Sequence, residues 1–293
     1  MIYTSQYCYY QPGNLHLDEC QFIGCSSDYG GGLCVSNSGL ILLLSFCVFD
    51  SCSSTSHGGG LVIDYSKSAK MIGNTFLNCR GVYTNGYFCD GGPRDLLLIE
   101  MNQTTDYCPY LTVCGAYLSG TNHANCNNNN HSYSNTNQHS SGAFYGSGCS
   151  ETVCQYCLVF KSTGTSFFGV RDRNSDITNV FERINFINNS ASIGWIELHH
   201  TPIYPKFDKC CFLHNTGTGV YRVTATTGGS PSFNKCYFSI PYNPIDHSII
   251  PNEQNTFSVS ECPVEYVETR AVIANRKLTP LFFIELIYMI LLI

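Results

Sequence analysis

The chain has 293 residues, of which 12% are charged and 43% hydrophobic, and its net charge is −6. Ordinary globular proteins carry about 25% charged residues. Only 15 Lys and Arg are spread along the chain, so no basic stripe marks a nucleic-acid surface and no nucleic-acid partner is expected. The 18 cysteines are many.

The opening residues 1–8 lack the basic region and the continuous apolar run of a secretory leader. A repeat then begins. Phe22, Phe49 and Phe76 stand 27 residues apart in Cys20-Gln-Phe22-Ile-Gly-Cys25, Cys47-Val-Phe49-Asp-Ser-Cys52 and Asn74-Thr-Phe76-Leu-Asn-Cys79. Leu15, Leu42 and Ala69 keep the same step, as do Leu17, Leu44 and Met71. A fixed period of that size marks a solenoid whose units cannot bury their apolar faces alone and must stack. Apolar residues alternate, as in Leu15-x-Leu17, which is the period of strands rather than helices. Gly30-Gly31-Gly32 and Gly58-Gly59-Gly60 lead into Leu33-Cys34-Val35 and Leu61-Val62-Ile63, and glycine supplies the positive φ or close approach that a corner needs.

The fold expected is therefore all-β: a right-handed parallel β-helix, a pectin lyase-like solenoid with coils of about 26–27 residues. Equivalent residues of stacked strands lie about 4.8 Å apart. Phe22, Phe49 and Phe76 should then form one internal aromatic stack, with Cys25, Cys52 and Cys79 in a column beside it. Residues 1–87 make the N-terminal coils.

Between 88 and 141 the period weakens. Leu96-Leu-Leu-Ile99 reads as a buried strand, and the distance from Phe76 to Phe160 leaves room for about three coils under long polar loops. The tract from Cys126 to His139 is polar and of low complexity and reads as an exposed loop. His123, His131 and His139 there are outweighed by that reading, so no metal and no other cofactor is expected.

From 142 to 262 a second series takes over, with Phe160, Phe186, Phe212 and Phe238 each 26 residues apart. All four are assigned to the same ladder. Phe181, Phe207 and Phe233 precede the later three by five residues, and Asn189 and Asn215 suit coil turns, because Asn tolerates the left-handed region. A linker, 263–277, leads to a hydrophobic tail, 278–293, with one charge at Glu285. The tail is shorter than the ~20 apolar residues of a full span. A truncated transmembrane helix, a cleavable lipid-anchor signal and a capping strand are its three readings, and the first two make membrane association expected.

Cysteines in register with the core pack well as a thiol ladder, and disulfides between adjacent coils are the other reading. Cys108, Cys114, Cys126, Cys149, Cys154 and Cys157 fall outside the register and are the better disulfide candidates. Cys154-x-x-Cys157 lacks both the context of a redox motif and a second pair for zinc. Asn102, Asn130 and Asn188 open glycosylation sequons. With the cysteines they lean towards an extracellular setting.

The Gly-Gly-Gly-Leu-x-Val and Phe-x-x-Cys or Phe-x-x-Asn elements, the last at Phe186–Asn189 and Phe212–Asn215, resemble the polymorphic membrane protein-like repeats, with their G-G-A-I and F-x-x-N elements. Such repeats belong to β-helix surface proteins of bacteria and parasitic protists. The resemblance implies adhesion or surface display and a host-cell protein or glycan as partner, with nothing catalytic. β-Helices also serve as polysaccharide lyases and glycosidases, which need paired carboxylates on one long face. Asp172 and Asp176, near Arg171 and Arg173, are the best constellation for that alternative, and they do not recur on adjacent coils. His199 and His200 point to opposite faces of any strand. The expected role is thus non-enzymatic, with a purely structural stalk as the remaining reading.

Overall fold

The computed structural model describes residues 1–90, 96–100, 103–105, 114–119, 123–127, 129–132, 141–147, 151–172, 178–192, 194–200, 204–217, 221–223, 231–239 and 257–258. They form a parallel β-solenoid, its three long sheets holding 11, 9 and 9 strands. One coil shows the path. Gly13–Asp18 enters a leucine-lined sheet, Gln21–Ile23 a phenylalanine sheet and Ser26–Tyr29 a short flank; Leu33–Ser36 enters a glycine-led sheet. Leu40–Ser45 then starts the next coil directly above Gly13–Asp18.

Alternation decides what faces inward. In Gln21–Ile23 only Phe22 is buried, and its ring lies 4.7 Å from that of Phe49 at an interplanar angle of 4°. Phe49 and Phe76 follow at 4.8 Å and 7°. The column continues by register through Thr104, His131, Val159, Phe186, Phe212 and Phe238. Phe186–Phe212 and Phe212–Phe238 restore the stack at 4.7 and 4.6 Å. Gly32 and Gly60 press against it: a Cβ on either would come within 2.8 Å of the Phe49 or Phe76 ring.

Phe160 departs from expectation. Val159, not Phe160, pairs with Phe186, so Phe160 lies in the outward row with Ile187 and Leu213. A shift of one residue exchanges the two faces of a strand. The corners set this register.

Among the described residues, two corners of the same construction bracket the short strands of the phenylalanine sheet. One residue takes positive φ, and the next, Ile184 after Arg183 excepted, turns a small hydrogen-bonding side chain inward. The first corner's positive-φ residues are Glu19, Phe46, Gly73, Tyr156, Arg183, Lys209 and Lys235; the second's are Gly24, Ser51, Asn78, Lys161, Asn188 and His214. At the first corner Asn74 donates from Nδ2 to the Leu44 carbonyl at 2.9 Å, and Asn129 to that of Ile99 at 3.1 Å. Where cysteine holds the place, the thiols of Cys47, Cys157, Cys210 and Cys236 reach the equivalent carbonyls of Leu17, Cys126, Phe181 and Phe207 at 3.4–3.6 Å. At the second corner Cys52 and Cys79 reach Phe22 and Phe49 at 3.3 and 3.5 Å. Asn189 and Asn215 reach Val159 and Phe186 at 2.9 and 2.8 Å. Cysteine and asparagine are thus alternative donors in one ladder, each tying a coil to its predecessor. The left-handed positions belong to Asn188 and His214, one residue before the asparagines expected there.

Two further expectations change. Cys126, Cys154 and Cys157 are free thiols, all buried, because they occupy inward or corner positions of coils that run on through the middle of the chain. For the same reason the tract after Cys126 is not a loop at its start. His123–Asn127 and Asn130–Ser132 are strands, with Asn129 in the corner ladder and His131 in the ring column. Asn102, Cys108, His139, Cys149, Arg173, Asp176 and residues 263–293 lie outside the described residues.

Candidate functional site

The interior of the described coils is filled by rings, aliphatic groups and thiols. Burial pushes the thiols of Cys47 and Cys157 up to about 12 and that of Cys34 up to about 11. A reactive cysteine needs the opposite, a lowered value in a polar, accessible place. Cys154 and Cys157 are therefore packing groups and not a redox pair. Burial also lowers His131 to about 4, which keeps its imidazole neutral in the column. Among the described residues no group of three or more His, Cys, Asp or Glu could hold a metal ion.

Asp172 ends the strand Ser166–Asp172, where its register partner is His200, while Arg171 pairs with His199. A stronger carboxylate pair, absent from the sequence expectations, sits on the leucine-lined sheet. Gln155, Glu182, Asp208 and Asn234 are successive register partners on four coils. Beside them the positive-φ corner presents Tyr156, Arg183, Lys209 and Lys235.

The contacts of this ladder decide its chemistry. Gln155 Nε2 donates to Glu182 Oε2 at 2.9 Å, while Arg183 Nε and Lys209 Nζ approach Glu182 Oε1 at 3.4 and 3.6 Å. Lys209 Nζ also lies 3.1 Å from Asp208 Oδ2, and Asn234 Nδ2 donates to Asp208 Oδ1. Arg183 bonds the Tyr156 hydroxyl at 2.6 Å and lies over its ring. All four carboxylate oxygens are therefore engaged. A glycosidase pair works differently, with one carboxyl held protonated and the other open to water or sugar. This group is a clasp between coils, and at such exposure each ion pair contributes about 0–1 kcal/mol. Its sequence signal was the spacing of residues 155, 182, 208 and 234 beside 183, 209 and 235.

The N-terminal flank is aromatic and hydroxyl-rich. Tyr29 and His57 are 5.1 Å apart, and His57 stacks on the half-exposed Tyr83 at 4.3 Å. Thr55 donates to Asp28 at 2.9 Å, and Ser53 to Ser26 at 3.1 Å. Tyr7 and Tyr9 pack on the core, whereas Tyr10 is exposed and donates to Cys34 Sγ at 3.9 Å. Of the sequon asparagines, Asn188 is exposed on a corner and Asn130 opens a strand.

Comparison with protein-family models, with curated proteins and with solved structures finds no match to this chain. The likeness to polymorphic membrane protein-like repeats is carried by the residue pattern alone.

Proposed function

We propose that the chain is a non-catalytic surface-display scaffold, an adhesin-like glycoprotein that engages a host-cell protein or glycan through its long flanks. The engagement of all four oxygens of Glu182 and Asp208 carries this reading, because it leaves the best carboxylate pair of the described surface with structural work only. The exposed Asn188 corner supports the glycoprotein part. The test is a cell-adhesion assay and a glycan array on the full chain, run beside a polysaccharide depolymerisation assay. Retention on cells or glycans without depolymerisation is expected. Depolymerisation lost in Glu182→Gln with Asp208→Asn would overturn the reading in favour of an enzyme, and no retention on either surface would leave the structural stalk.

A further inference from the structure

Cys8 and Cys34 stand together on the outer face of the glycine-led sheet. In Tyr7–Tyr9 and Leu33–Ser36 the alternate residues Tyr7, Tyr9, Leu33 and Val35 pack on the core, which turns the two cysteines outward. They are direct register partners on successive coils. Beyond Cys34 the same row continues with Val62 and Phe88, so within the row each thiol has the other as its one sulfur neighbour.

Their surroundings differ from those of the ladder thiols. Cys8 is exposed, and Cys34 lies just beneath the surface. Tyr10, itself exposed, donates its hydroxyl to Cys34 Sγ at 3.9 Å and lies within reach of Cys8 too. Burial pushes the Cys34 thiol up to about 11, and the Tyr10 hydrogen bond works against that rise. An oxidant can meet Cys8 from solvent, and Cys34 then needs no access of its own.

Chain geometry favours this pair over the other stacked thiols. Partners on parallel strands lie about 4.8 Å apart, inside the Cα range of a disulfide, whose Cβ atoms stand about 3.8 Å apart. The Cβ atoms must therefore approach by roughly 1 Å. Tyr7–Tyr9 stands at the end of its sheet and, among the described residues, pairs with Leu33–Ser36 alone, so it can tilt that far. Cys126 and Cys154 are register partners as well, but both are buried and each of their strands is held from two sides.

We infer that Cys8 and Cys34 are an oxidisable pair that closes to a disulfide and clips the coil of Tyr7–Tyr9 to that of Leu33–Ser36. Cys8 attacks a small disulfide oxidant and releases its first thiol. Cys34 then attacks Cys8 Sγ, and the new bond forms as the mixed disulfide breaks and the second thiol leaves. Two electrons and two protons pass from the pair to the oxidant. The closed form encircles one whole coil, and the end strand is held covalently as well as by its ladder.

Incubation of the full chain with oxidised glutathione, followed by peptide mapping without reductant, tests this. A linked peptide pair carrying Cys8 and Cys34 is expected, and in Cys34→Ser glutathione should remain on Cys8. A mixed disulfide persisting on Cys8 of the unaltered chain, or linkage of Cys8 to any other cysteine of the same or a second copy, would overturn the pair. Closure should raise the urea midpoint by about 1 M, reversibly with dithiothreitol, and Cys8→Ser should show no such rise. A linked pair with an unchanged midpoint would overturn the clip. Should Cys34→Ser not fold, the map of the unaltered chain decides.

Discussion

The claim that cysteine and asparagine serve one purpose at the corners can be tested at Asn74. Its Oδ1 accepts the Cys47 N–H at 2.9 Å and its Nδ2 donates to the Leu44 carbonyl at 2.9 Å, with the side chain fully buried. Asn74→Ala removes both partners at once. A buried polar group left without its bond costs about 1–3 kcal/mol. The N–H loses its acceptor outright, and the carbonyl keeps a second lone pair for other donors, so the sum should be about 2–4 kcal/mol. Asn74→Cys gives the carbonyl a thiol donor, as Cys47 gives that of Leu17, and leaves only the N–H orphaned. It should therefore be about 1 kcal/mol less costly than the alanine variant. Urea unfolding of the full chain, followed by far-ultraviolet circular dichroism, reads the difference. With a slope of about 3 kcal/mol/M, the alanine variant should lose roughly 1 M in midpoint and the cysteine variant clearly less. Equal losses would refute the idea that the thiol stands in for the amide.

Phe49→Ala should cost about 3–5 kcal/mol, since a ring stacked on both faces leaves a cavity, whereas Phe160→Ala on the outward row should cost about 1 kcal/mol or less. Comparable losses in the two would contradict the register. His131 is held near 4, below its ordinary 6.5, so its contribution is complete above about 6.5 and is lost as pH falls through 4. His131→Gln should flatten the acid limb of the pH–stability curve, and an unchanged limb would remove His131 from it. Cys47 is raised from 9.0 to about 12, so its contribution is complete below about 9 and is lost as pH rises towards 12. Cys47→Ser keeps a donor without that ionisation, and its urea midpoint should decline less than the parent's between pH 8 and 10.5. On native alkylation at pH 8, the exposed Cys8 should react first and Cys34 and Cys47 last. Equal rates would show that the thiols are not shielded.

The solenoid was legible because a whole coil repeats, and phenylalanines 27 residues apart mean one thing when strands stack in parallel. The slip at Phe160 was legible too, in another residue. Cysteine stands two positions before Phe22, Phe49, Phe212 and Phe238, and Cys157 stands two before Val159. Corner chemistry, not the largest side chain, marks the slot. The middle coils hid because Thr104 and His131 replace rings in the column, and polar residues on inward rows resemble a loop when hydropathy is the guide. The carboxylate clasp was hidden differently. Four residue types alternate along it, and only the 26–27 residue step joins them.

Because each corner is fastened only to the coils directly before and after it, the molecule works like a ruler built from interchangeable graduations. Excising one complete repeat, such as residues 41–67, joins Leu40 to Ser68, whose own stacking neighbour was Ile41. The shortened chain would lose about 4.8 Å of height and keep its cross-section. Length is then a quantity that insertion and deletion can set freely, one notch at a time, without redesigning anything else.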